Sequence, residues 1–124
     1  MITGIVTADL EAIIRVSVRG PNGDREIIEA VIDTGFDGCL SLPPTLISRL
    51  KLPWRRRGLA MLADGSETIF DIHEGTIRWG SQSRRISVDS ADTEPLIGMA
   101  LLVGYELRMK VRRGGKVVIK PLVG

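Results

Sequence analysis

One acid stands out for its setting. The run Ala30-Val31-Ile32-Asp33-Thr34-Gly35-Phe36 is apolar and β-branched, and it ends abruptly in a carboxylate, a hydroxyl and a glycine. Val31 and Ile32 suit a buried strand. An acid at the end of such a strand is costly to bury unless it is hydrogen-bonded, paired or used in chemistry. Gly35 allows close backbone approach or a positive φ at the turn. On its own the triplet also reads as an Asx-type turn that closes a strand. Other nucleophile or metal chemistry has little material. With one Cys and one His, the chain cannot assemble a zinc site of the usual kind. A Ser-His-Asp or Cys-His arrangement would have to use His73, which lies in an alternating run and reads as a strand-surface residue. The chain holds no GxGxxG and no phosphate-binding glycine loop.

The elements that must position Asp33 follow from periodicity. Ile2 to Val6 is β-prone. In Glu11 to Arg19, Ala12, Ile14, Val16 and Val18 share one face, while Arg15, Ser17 and Arg19 share the other. Pro21-Asn22-Gly23-Asp24 is a turn, and Arg25 to Ile32 returns as a strand, so a hairpin delivers Asp33 at its end. Leu40 to Leu42 is a short extended piece. Pro43 opens a helix through Leu50 that buries Leu46, Ile47 and Leu50. Leu59 to Leu62 and Glu67 to Ile72 flank Ala63-Asp64-Gly65-Ser66, a hairpin signal. Gly75 to Trp79 and Arg84 to Val88 pair around Gly80-Ser81. Pro95-Leu96-Ile97-Gly98 is a brief strand, and Met99 to Val103 forms one or two helical turns. Tyr105 to Val111 and Lys116 to Ile119 form a last hairpin around Gly114-Gly115. Short strands with glycine-rich turns predict an all-β barrel or sandwich.

Composition sets the class. The 124 residues form one domain (1–124), with 44% apolar and 26% charged residues, as suits a globular chain. A net charge of +2 is too small to imply a nucleic-acid partner. Arg55-Arg56-Arg57 reads as a solvated strand edge, because it lacks stacking aromatics and a wider basic field. No stretch approaches the ~20 apolar residues of a membrane span. The lone Cys39 excludes an intrachain disulfide and suits a reducing, cytoplasmic setting. The N-terminus lacks the basic start and apolar region of a signal peptide.

Four features stand in one order: Asp33-Thr34-Gly35 after an apolar strand, a proline-started helix, the Ala63 to Ser66 hairpin, and Leu96-Ile97-Gly98 before a short helix. In this the chain resembles the single-domain, retropepsin-like aspartic proteases, and its Asp-Thr-Gly-Phe resembles the small prokaryotic members. The resemblance spans roughly Glu11 to Ile119. It implies a closed β-barrel with one or two short helices and an aspartic endopeptidase without metal or cofactor. It makes Asp33 the catalytic carboxylate and Thr34 a hydrogen-bonding link across a dimer axis. Gly35 would admit the substrate backbone, and Ala63, Asp64, Gly65 and Ser66 would form a flap over the peptide or protein substrate. Leu96, Ile97 and Gly98 would support the Asp33 loop, and Phe36 and Asp37 would border the substrate. From family geometry, Phe36, Leu40, Leu62 and Ile97 would line an apolar cleft.

This chemistry uses two carboxylates that share one proton around a water. The chain has one Asp-Thr-Gly. Asp89-Ser90-Ala91 is a poor substitute, since alanine does not replace that glycine freely. The second acid should come from Asp33 of a symmetry mate in a C2 homodimer. The apolar-alternating Lys116 to Leu122 is expected to need a partner edge. One departure bears on the resemblance. Retroviral members carry Arg after the Leu96-Ile97-Gly98 equivalent, followed by Asp or Asn, and that Arg pairs with the acid at the place of Asp37. Here Met99 and Ala100 stand there, so Asp37 either faces solvent or joins a substrate subsite. The alternative function is a non-catalytic barrel used for dimerisation or peptide binding.

Overall fold

A computed structural model describes residues 1–123. Its strands are β1 (Ile2–Val6), β2 (Ala12–Arg19), β3 (Arg25–Ile32), β4 (Leu40–Leu42), β5 (Trp54–Met61), β6 (Glu67–Trp79), β7 (Gln82–Ser90), β8 (Leu96–Ile97), β9 (Tyr105–Met109) and β10 (Lys116–Pro121). Two short helices, α1 (Pro44–Arg49) and α2 (Met99–Leu102), interrupt them.

The strands run in the order β5-β6-β7-β4-β8-β3-β2-β1-β10-β9, and a further β6–β2 pairing closes six of them into a barrel. The closure lies at Val18 opposite Ile77 and Arg19 opposite Thr76. Alternation along β2 turns Ile14, Val16 and Val18 inward, where they meet Ala30, Leu40, Leu42, Ile77, Val88 and Ile97. The second layer of core lies under β1, β10 and β9, where Val117 and Ile119 are fully buried. Trp79 and Tyr105 meet edge to face at 5.9 Å between ring centroids, which fixes β9 against the barrel. No described helix is long and apolar enough to cross a membrane.

Three elements differ from the sequence expectation. β6 is one strand of 13 residues, where the sequence reading has two, Glu67 to Ile72 and Gly75 to Trp79, with polar His73 and Glu74 between them. Its two halves have different partners: Glu67 to His73 pair with β5, and Ile72 to Trp79 pair with β7. The polar residues mark the passage from one partner to the other. β5 begins at Trp54 rather than Leu59, because Arg55-Arg56-Arg57 extend it as a solvated edge, with an irregularity between Trp54 and Arg56. β10 needs no outside partner: β1 and β9 flank it on its two sides.

Candidate active site

Asp33 sits where β3 leaves the barrel. β8 lies parallel to β3 on one side, with Val31 opposite Leu96 and Ile32 opposite Ile97, and antiparallel to β4 on the other. The carbonyl of Ile97 accepts the Asp33 N–H at 2.9 Å, so the acid's backbone is anchored on a strand residue that is itself fully buried. Asp33 Oδ1 accepts the Gly35 N–H at 2.9 Å, and the Phe36 N–H donates to the Asp33 carbonyl at 3.1 Å. This is the Asx turn of the sequence reading. The Asp33 side chain is half-exposed there.

Gly35 is not in the left-handed region. A Cβ there would stand 3.2 Å from Asp33 Oδ1, so a side chain would crowd the carboxylate. Gly98 has a clearer reason. Its N–H donates to Cys39 O at 3.0 Å, and a Cβ would collide with the Gly38 carbonyl and the Phe36 ring. Met99 N–H to Phe36 O at 2.8 Å and Ala100 N–H to Gly38 O at 3.1 Å complete the contact. The start of α2 is thereby laced to the Asp33 loop by backbone alone, with no arginine in that role.

The β5–β6 hairpin projects beside this loop. At its tip Gly65 has φ +86°, and Leu62 and Ser66 close the turn through a 2.7 Å hydrogen bond. Asp64 Oδ1 accepts both the Ser66 N–H at 2.9 Å and its hydroxyl at 2.6 Å, which hold the Asp64 carboxyl below the usual carboxylate range.

A cleft of about 640 Å³ lies between the hairpin and the barrel. Gly35, Phe36, Asp37 and Leu96 line it from the Asp33 side, and Leu59, Met61, Thr68 and Phe70 from the hairpin stems. Asp33 is not among the lining residues, nor are Ala63, Asp64, Gly65 and Ser66, which form the exposed tip. Leu40 and Ile97, expected in the cleft, are fully buried in the core, and Leu62 lies outside it; Leu59, Met61 and Phe70 supply the apolar wall instead. Phe70 was legible only through Gly58, its cross-strand partner, where any Cβ would enter the Phe70 ring.

Asp89 also lines the cleft. Partial burial pushes its carboxyl up from the usual range, the Asp37 carboxylate adds to that, and Arg56 opposes it. Asp37 is exposed and borders both this cleft and a second groove that reaches Thr34. Among the described residues Asp37 forms no ion pair. Arg84 of β7 lies near α2 and shares a 3.4 Å contact with the Leu101 carbonyl. Burial pushes the Cys39 thiol up, against the influence of Arg84, so it packs as a thiol. His73 lies on β6 as a half-buried residue, with Nδ1 2.9 Å from the Leu52 carbonyl. No group of three or more metal-ligating side chains gathers among the described residues.

No family model and no curated protein matches this chain. Among solved structures, a retropepsin-like aspartic protease from Rickettsia conorii is similar over 98% of this chain and 91% of its own, with TM-score 0.58 and 14% identity. The chain therefore has the retropepsin-like fold, a closed six-stranded barrel with two short helices among the described residues.

Proposed function

We propose that the protein is an aspartic endopeptidase that acts as a C2 homodimer, each chain supplying Asp33. The observation that carries this reading is the Asp33 loop itself. Its backbone N–H is held by Ile97 and its carboxylate by the Gly35 N–H, beside a cleft of about 640 Å³ that Gly35, Phe36 and Asp37 line. A turn that merely ended a strand would need no such buttress from β8 and α2.

In the dimer, one Asp33 carboxylate takes a proton from water, which attacks the scissile carbonyl carbon. The protonated Asp33 of the other chain donates a hydrogen bond to the carbonyl oxygen and stabilises the tetrahedral intermediate. Collapse breaks the C–N bond as the first Asp33 gives the proton it took from water to the leaving amine. The β5–β6 hairpin covers the peptide, and Leu59, Met61 and Phe70 meet apolar side chains. The test is hydrolysis of an apolar-rich peptide library by wild type and Asp33→Asn. The amide cannot accept and return the proton, so the rate should fall by roughly 10²–10⁴-fold while circular dichroism stays unchanged. Hydrolysis by a folded Asp33→Asn at the wild-type rate contradicts the assignment.

One observation favours a second reading. Among the described residues Asp37 is exposed and pairs with no arginine, unlike its counterpart in retroviral members. A barrel kept only for binding would tolerate that loss, and would bind peptides that wild type leaves intact.

A further inference from the structure

The barrel closes where β2 meets β6, and the outer face of that seam is strongly basic. Val18 and Ile77 pair across it and are fully buried. Alternation therefore turns Ser17 and Arg19 of β2, and Thr76 and Arg78 of β6, to the outside. β3 and β7 extend the face on either side. Arg25 lies opposite Arg19, Ser83 opposite Arg78, and Arg85 opposite Thr76. Ser17, Arg19, Arg25, Thr76, Arg78 and Ser83 line a concavity of about 220 Å³.

Arg19 and Arg25 are directly opposed in an antiparallel pair, an arrangement in which like charges destabilise a sheet. No acid relieves them. Among the described residues Arg19, Arg25, Arg78 and Arg85 form no ion pair. The acids on and beside these strand segments are engaged with other cations: Asp24 with Lys51, Glu26 with Arg49, Glu29 with Arg15, and Glu74 with Arg55. A strand face that only had to be soluble would intersperse the two signs. A concavity lined by one sign instead concentrates counter-ions.

We propose that this concavity binds the phosphate group of a small ligand, either the free ion or a monoester, through Arg19, Arg25 and Arg78. Guanidinium forks match phosphate oxygens bidentately. The hydroxyls of Ser17, Thr76 and Ser83 are further donors on the same wall. A bound dianion offsets the repulsion between Arg19 and Arg25, so the ligand supplies the countercharge that the chain does not. None of the six lining residues is aromatic, so nothing there stacks a base, and the small concavity fits a phosphate better than a nucleic acid. The site is separate from the cleft. Arg25 opens β3 and Asp33 follows its last residue, roughly 25 Å away along the strand. Binding there needs neither Asp33 nor a second chain.

The test is calorimetric titration with inorganic phosphate and with glycerol phosphate, at an ionic strength held constant with chloride. Wild type and Asp33→Asn should bind alike, at one site per chain. Arg19→Ser and Arg78→Ser should each lose roughly tenfold or more in affinity. Arg112→Ser, which removes an exposed arginine between β9 and β10, should lose none. Tighter binding of the ester makes an ester the ligand, and tighter binding of inorganic phosphate makes it the free ion; both uphold the site. Urea unfolding supplies a second readout. Arg25→Thr should be more stable than wild type without phosphate, because it relieves the opposed charges, and should lose most of the stabilisation that phosphate gives wild type. Wild type that neither binds phosphate nor gains stability from it beyond the effect of chloride overturns the proposal. So does a loss in Arg112→Ser equal to that in Arg19→Ser, which would mean a diffuse surface charge. Binding confined to a phosphopeptide or to RNA also overturns it, since the partner would then be a macromolecule.

Discussion

At the residue scale, the acid of interest is held by its backbone and one side-chain bond, and its neighbours set its surroundings. Asp33 was legible because a carboxylate after Val31-Ile32 has no apolar reason to be there. Asp89 was read only as a weak second acid, and its place in the cleft was not legible: it depends on β7 passing beside the Asp37 loop, a contact between residues 52 positions apart. Its raised carboxyl carries a stability consequence. A carboxyl raised in the folded state favours the protonated form there. The folded protein therefore suffers no penalty below the unfolded value near 3.8, and loses stability as pH rises from that value through the raised one. Asp89→Asn should leave stability in acid nearly unchanged and increase it at neutral pH. Urea unfolding of both proteins at the two pH values checks this; an equal effect at both would show that the charge is not responsible.

At the element scale, the support for Asp33 comes from β8 and the start of α2. The sequence pointed to Leu96-Ile97-Gly98, but not to its division of labour. Ile97 is fully buried and its carbonyl holds the Asp33 N–H, whereas Leu96 faces the cleft. Ile97→Ala should cost about 2–5 kcal/mol of stability by opening a cavity under the loop, read by urea unfolding, with peptide hydrolysis falling further than the lost folded fraction explains. Gly98→Ala should be worse than its size suggests, since its Cβ meets the Gly38 carbonyl, a backbone atom that cannot swing aside. The hairpin tip is more tolerant. Gly65 has open space around it and a φ of +86°. Gly65→Asn, which accepts that conformation, should retain activity, whereas Gly65→Val should raise KM, as steady-state kinetics on one peptide would show.

At the scale of the whole molecule, local patterning made most strands and both helices readable, because the buried faces of β2, β3 and β7 alternate cleanly. What it missed were matters of partnership. The continuity of β6 depends on its exchanging β5 for β7, and the terminal strand β10 is satisfied by β1, more than a hundred residues away. Among the described residues the sheet ends at β5 and at β9, and nothing in the composition of β9 marks it as an edge until the strand order is known.

The central claim is that hydrolysis needs two copies of Asp33 in one site. Subunit mixing tests it most directly. Wild type and Asp33→Asn are mixed in varying proportion at a fixed total concentration well above the dimer dissociation constant, left to exchange, and assayed on one peptide. If the site needs both acids, only wild-type pairs act, and activity follows the square of the wild-type fraction, about one quarter at equal proportions. Activity that falls in direct proportion to the wild-type fraction, about one half in the equal mixture, would mean that each chain works alone, and would contradict the account.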